Sequence, residues 1–165
     1  MDMTLAENMM LKTSFDKKWL RRGFINNELL NDYTKQAIKD YAIKAPSPDI
    51  VARGLSGGNQ QKVILAREVD NGEELIILDQ PTRGLDVGAI DYVHRTILKE
   101  RSRGKSILLV STELSEIFAL SDRITVLYKG EIQGIYDRDE LTTEKIGLLM
   151  AGYSLEGKVV NENEH

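Results

Sequence analysis

Apolar positions recur at helical spacing through the first part of the chain and gather into short unbroken runs after residue 74. Thr4 and Glu7, set ahead of Met9, Met10 and Leu11, read as a capping box opening a short helix. Residues 13–27 are mixed and turn-rich around Gly23 and Asn26-Asn27. Leu30, Tyr33, Ala37 and Tyr41 fall on one stripe, which predicts a helix over residues 28–44. Ala45-Pro46-Ser47-Pro48 should end it, because proline cannot continue a helix and restricts its predecessor. Val63, Ile64, Ala66 and Val69 repeat the helical period. Leu75–Leu78 is an apolar run ending at Asp79, the pattern of a buried strand. Ile90, Val93 and Ile97 predict a helix over about residues 88–103, followed by a second apolar run, Ser106–Val110. Leu114, Ile117 and Phe118 suggest a short helix. Ile124–Tyr128 and Ile132–Tyr136 predict a hairpin about Lys129-Gly130. Thr142 caps a last helix with Ile146, Leu149 and Met150, closed by Gly152, and the chain is polar from Glu156. Strands alternating with helices predict an α/β fold with a largely parallel sheet.

Composition narrows the function. A chain of 165 residues can bury a real core. The net charge of −4 leaves no broad basic face, which argues against nucleic acid as a partner. There are no cysteines, so disulfides and thiolate metal sites are excluded, and a cytosolic setting is expected. No apolar run approaches the roughly 18 residues that span a bilayer. Work at a membrane would therefore be peripheral.

Leu55-Ser56-Gly57-Gly58-Asn59-Gln60-Gln61 stands directly before a helical pattern. Paired glycines let a backbone approach a ligand closely, and the following helix aims its amides and positive dipole end back at the loop. With the Ser56 hydroxyl this suits an anion, a phosphate above all. The same residues also suit a plain helix cap. Further on, Asp79 ends a strand, where ligands bind in open α/β sheets, and such an aspartate holds Mg²⁺ in nucleotide hydrolases. Asp79 also reads as a turn residue, and Asp86 as the N-cap of the next helix.

Taken together, these segments resemble the ABC ATPase family over roughly residues 4–152. Leu55–Gln60 is similar to its signature loop, Leu75–Asp79 to its Walker B strand, Gly84-Leu85-Asp86 to its D-loop and Leu108–Leu114 to its switch region. The signature ending Asn-Gln-Gln-Lys, Gln80-Pro81-Thr82, and the run on to Ala89 resemble the second ATPase domain of fused sugar or nucleoside importers. The resemblance implies a P-loop NTPase-like parallel sheet plus a helical signature subdomain. It places that subdomain at residues 1–71, the α/β remainder at 72–155 and a polar tail at 156–165. It implies ATP and Mg²⁺ in an assembled domain pair, with Asp79 on the metal side and Ser56, Gly57, Gly58, Asn59, Gln60 and Asp86 toward the nucleotide. A second ABC ATPase domain, membrane permease subunits and, indirectly, a solute-binding protein are the implied partners, at the cytoplasmic face of the membrane.

Departures from the family pattern matter as much. The chain contains no Gly-x-x-x-x-Gly-Lys-[Ser/Thr], so the resemblance places the P-loop upstream, makes this a C-terminal fragment, and leads us to expect an inactive chain on its own. Gln80 replaces the catalytic carboxylate; an amide has no basicity for general-base work, but a glutamine can still orient a water, as it does in small GTPases. Thr112 replaces the switch histidine, and it also reads as the cap of the helix that follows. The chain's own hydrolytic site is therefore expected to be degenerate, while its signature loop completes the partner's. The missing P-loop strand would lie between Ser106–Val110 and Ile124–Tyr128, leaving strand edges that rearrange or self-associate. A non-transport ABC ATPase and a catalytically silent interaction module are the alternatives. The former usually carries coiled-coil insertions or basic arms, which are absent here.

Overall fold

In the computed structural model, which describes residues 3–14, 16–69 and 74–155, the first helix opens as its pattern predicts. Glu7 donates its backbone N–H to Thr4 Oγ1 (3.1 Å), and Glu7 Oε2 accepts from the Thr4 backbone N–H (2.7 Å). Helix α1 (Leu5–Met10) leads to a β-hairpin, β1 (Leu20–Arg21) with β2 (Phe24–Ile25), and then to α2 (Asn27–Asp40). The chain separates into two compact units between Val110 and Ser111. The boundary expected after residue 71 and the tail 156–165 lie outside the described residues.

In the first unit, α1, α2 and α3 (Gly57–Val69) share a core of Leu5, Met9, Ala37, Ile43, Val63 and Ala66. Burying each large aliphatic side chain here contributes about 1.5–3 kcal/mol. Helix α2 stops four residues earlier than the prolines predicted. Ala42 takes a left-handed φ of 47°, so that the Ala42 amide reaches Lys39 O (3.2 Å) and the Ile43 amide reaches Ile38 O (2.9 Å). That is a Schellman ending, and it buries Ile43 in the core. It usually carries glycine, and without one the sequence offers no stop signal as early as residue 40.

Strand β3 (Leu75–Asp79), helix α4 (Val87–Ser102) and strand β4 (Ser106–Val110) form a βαβ unit with β3 and β4 parallel, pairing Ile77 with Leu108 and Asp79 with Val110. The expectation of a buried β3 needs correction. Ile76 and Leu78 are buried, but Leu75 and Ile77 are 53% and 63% exposed, and Leu108 and Val110 on the same face are half-exposed. Nothing among the described residues covers that face, so alternation along the strand leaves half its apolar side chains bare. The buried stripe of α4 runs Ala89, Val93, Ile97, Glu100. The Glu100 carboxylate is met by Arg103 (2.6 Å) and Lys105 (2.9 Å). Those partners keep the buried charge compensated.

In the second unit, α5 (Leu114–Leu120) precedes an antiparallel hairpin, β5 (Arg123–Tyr128) and β6 (Glu131–Asp137), and α6 (Thr143–Met150) follows. Lys129 and Gly130 turn the hairpin with φ of 46° and 84°. Ile124, Val126, Leu141, Ile146 and Leu149 make its core. Thr142 caps α6 and Gly152 closes it, as predicted. Among the described residues the strands make three two-stranded sheets, and β4 pairs only with β3 and β5 only with β6. The fold class is α/β with the parallel pairing confined to β3 and β4 and a helical subdomain ahead of it.

Candidate functional site

Helix α3 begins directly after Ser56, and its first turn is anchored by two amide side chains. Asn59 Oδ1 accepts the Lys44 backbone N–H (2.8 Å), and Asn59 Nδ2 donates to Ser56 Oγ (2.9 Å). With that acceptor role filled, the Ser56 hydroxyl proton is available to a ligand. Gln60 Nε2 donates to Leu55 O (2.7 Å) and Arg53 O (3.2 Å), which pins the turn before the loop. Ser56 and Gly57 are exposed. A side chain at Gly57 would meet nothing within 4 Å, whereas one at Gly58 would put its Cβ 3.0 Å from Ala89 Cβ. Gly58 is thus where α3 comes closest to the start of α4.

Asp86 caps α4, with Oδ1 accepting from the Ala89 N–H (2.9 Å), as one of its two sequence readings had it. Its other oxygen, Oδ2, would lie 3.9 Å from a Cβ on Gly58, so the loop and Asp86 come together. Lys62 fastens the same corner: Nζ donates to Ala42 O (2.9 Å) and sits 4.4 Å from the Tyr92 ring centroid. Burial pushes the Tyr92 phenol above its ordinary pKa, while a hydrogen bond with Thr96 opposes the shift.

Asp79 ends β3 and is exposed. Gln80 follows with its N–H on Val110 O (2.8 Å) and a left-handed φ of 49°. For a residue with a Cβ that conformation costs about 1–2 kcal/mol, strain of the sort that gathers at functional positions. Pro81 and Thr82 are buried beyond it, and Leu85 N donates to Thr82 O (3.1 Å), carrying the turn to Asp86. Thr112 belongs to the second unit. Its reading as the cap of α5 is corrected: the N-cap is Glu113, whose N–H donates to Ser111 Oγ (3.0 Å). The Ser111 hydroxyl, two residues before Glu113, makes the local turn instead.

Sequence reasoning named the loop but missed its supports. Lys44 contributes only a backbone N–H, and Ala89 only a methyl group at the point of closest approach. Neither role leaves a trace in residue type.

Phosphate chemistry fits the loop through the Ser56 hydroxyl and the exposed start of α3, but the chain has no Lys-bearing glycine loop to cradle the remaining phosphates. Among the described residues no group of three or more His, Cys, Asp or Glu is placed to hold a metal. A lone carboxylate such as Asp79 suits Mg²⁺, which keeps several waters and takes other ligands from substrate phosphates. Among the same residues no helix is long and apolar enough to cross a membrane.

No protein-family model matches the chain. It is 41% identical over 152 residues to the nucleoside import ATP-binding protein NupA of Lactococcus lactis, and 42% identical over 152 residues to the guanosine import ATP-binding protein NupO of Bacillus subtilis. It is 39% identical over 154 residues to the ribose import ATP-binding protein RbsA of Bacillus licheniformis. Each match takes in 92% of this chain and 30% of the relative, so the chain spans under a third of the length of the curated relatives it matches. Among solved structures it superposes on the dimeric ATP-binding cassette MJ0796 in a post-hydrolysis state bound to ADP and Pi, with TM-score 0.67 and 26% identity, over 82% of this chain and 57% of that one. A metal-chelate type ABC transporter in an inward-facing conformation gives TM-score 0.74 at 16% identity, over 93% of this chain and 60% of that one, which speaks for the fold alone. In sequence the chain is homologous to ABC importer ATP-binding proteins, and its fold is that of an ATP-binding cassette.

Proposed function

We propose that this chain forms part of the energy-coupling ATPase of a nucleoside or sugar importer, and that its signature loop completes the ATP site of a partner domain. The observation that carries the reading is the Ser56 hydroxyl, held by Asn59 as an acceptor and exposed beside the start of α3, so that it can donate to a terminal phosphate. Gly57 and Gly58 keep that approach clear of side chains. In this reading Asp79 faces Mg²⁺, Asp86 lines the contact with the partner, and Gln80 and Thr112 leave the chain's own site without a general base or an imidazole. Catalysis then runs on the partner's carboxylate, and ATP acts as the adhesive between domains. The import relatives favour the transporter setting, with permease subunits as the membrane-embedded partners at the cytoplasmic face.

The binding half of this reading is open to a direct test. Mixed with a domain that carries a P-loop and lacks its catalytic carboxylate, the chain should associate in MgATP and separate in MgADP, read by size exclusion with multi-angle light scattering. Association that ignores the nucleotide would refute it.

The open strand edges belong to the same reading. Strands β4 and β5 each carry one side with no strand partner among the described residues. Such edges recruit other chains. Alone, the chain is expected to self-associate, and a strictly monomeric species at concentrations of tens of micromolar would contradict this.

A further inference from the structure

Residues 16–25 form a finger that takes no part in the phosphate-facing loop. A single 3₁₀ turn, Lys17–Trp19, runs into the β1–β2 hairpin, closed by Arg22 (φ 53°) and Gly23 (φ 86°) in the left-handed geometry of a tight hairpin turn. The root is fixed. Trp19 is 2% exposed, its Nε1 donates to Thr13 Oγ1 (2.9 Å), its ring stands edge-on to Tyr33 with centroids 5.2 Å apart, and its carbonyl accepts the Asn26 N–H (2.7 Å).

The tip is the opposite. Phe24 is 79% exposed, Leu20 46% and Ile25 48%. Leu20 pairs with Ile25 and Arg21 with Phe24, and paired residues share a face, so exposed apolar side chains stand on both faces, Phe24 beside Arg21 on the second. Packing on the chain's own core would account for one apolar face and not for two. Lys17, Lys18, Arg21 and Arg22 are all exposed around these side chains. The only carboxylate in the segment is Asp16, 3.4 Å from the Lys18 ammonium. In a chain of net charge −4 the finger is a local reversal of sign.

We propose that this finger is a membrane-surface anchor, with Phe24, Leu20 and Ile25 entering the boundary between headgroups and acyl chains of an anionic leaflet while the four cations meet lipid phosphates. Charge selects anionic over neutral lipid. Apolar side chains on both faces select a fluid boundary, which surrounds an inserted tip, over a protein surface, which would cover one side. The buried Trp19 supplies a rigid base, so insertion requires no ordering of the hairpin. The proposal stands apart from the nucleotide reading and does not depend on it.

The test is flotation of the chain with phosphatidylcholine vesicles, with and without about 30% phosphatidylglycerol. The chain should float with the anionic vesicles only, and binding should fall between about 0.05 M and about 0.5 M salt. Phe24→Ser should weaken partitioning about tenfold. Arg21→Glu with Arg22→Glu should abolish it. Ile77→Ser, on the exposed face of β3, should leave it unchanged. Unaltered fluorescence of Trp19, the single tryptophan, shows that each variant keeps the root of the finger. Equal binding to both vesicle types, insensitivity to Phe24→Ser, or no vesicle binding at all, with or without capture of an acidic protein segment, would each overturn the proposal.

Discussion

Ser56→Arg, in an assembly of this chain with a P-loop domain, should cut ATP hydrolysis by about 100-fold or more, the loss typical of removing a donor from a developing anion. The change does two things at once. It deletes the hydroxyl that Asn59 holds outward, and it fills the exposed approach beside Gly57 with a long cationic side chain. Gln80→Ala in the same assembly should leave the rate within about twofold, because an amide was never a usable base. Gln80 also sits in a left-handed turn whose backbone is held by the hydrogen bond to Val110 O, and alanine keeps that bond. The contrast between the two variants is what matters. Steady-state hydrolysis and solute uptake read it directly, and equal losses would mean that this half runs its own chemistry after all.

The largest effect on stability should come from Gly152→Ala. Gly152 closes α6 at φ 82°, a conformation that costs an L-residue about 1–2 kcal/mol. A methyl group there would also overlap the Tyr128 ring at the end of β5. Overpacking of that kind adds about 1–3 kcal/mol, for a total of about 2–5 kcal/mol. The second unit should unfold at a markedly lower urea midpoint. Combining Gly152→Ala with Tyr128→Leu should recover the overlap portion and leave the backbone portion. A loss no larger than the backbone portion would show that the ring and the helix end are not in contact.

Much of this was legible from the sequence. Periodicity located α3, α4, α5 and α6 because a helix is a local object, built from neighbours three and four residues apart. The caps at Thr4, Asp86 and Thr142 were readable for the same reason. So was the Lys129-Gly130 turn, whose geometry depends on two residues. The glycine pair after Ser56, the strand ending at Asp79, and Gln80 and Thr112 were legible as residue types in order.

What the sequence by itself determined, then, is the resemblance to ABC ATPases and the polar groups that stand at the start of α3. Tertiary structure alone decided how those groups are held. The hydrogen bond from Lys44 to Asn59 spans fifteen residues, and the approach of Gly58 to Ala89 spans two helices. The end of α2 at Asp40 depends on Ile43 finding a place in the core, not on a glycine. The bare face of β3 and β4 depends on what lies opposite, which alternation along a strand cannot state. Local patterns encode elements because their energies come from near neighbours. Contacts distant along the chain arise only when packing brings surfaces together, and no single residue type records them.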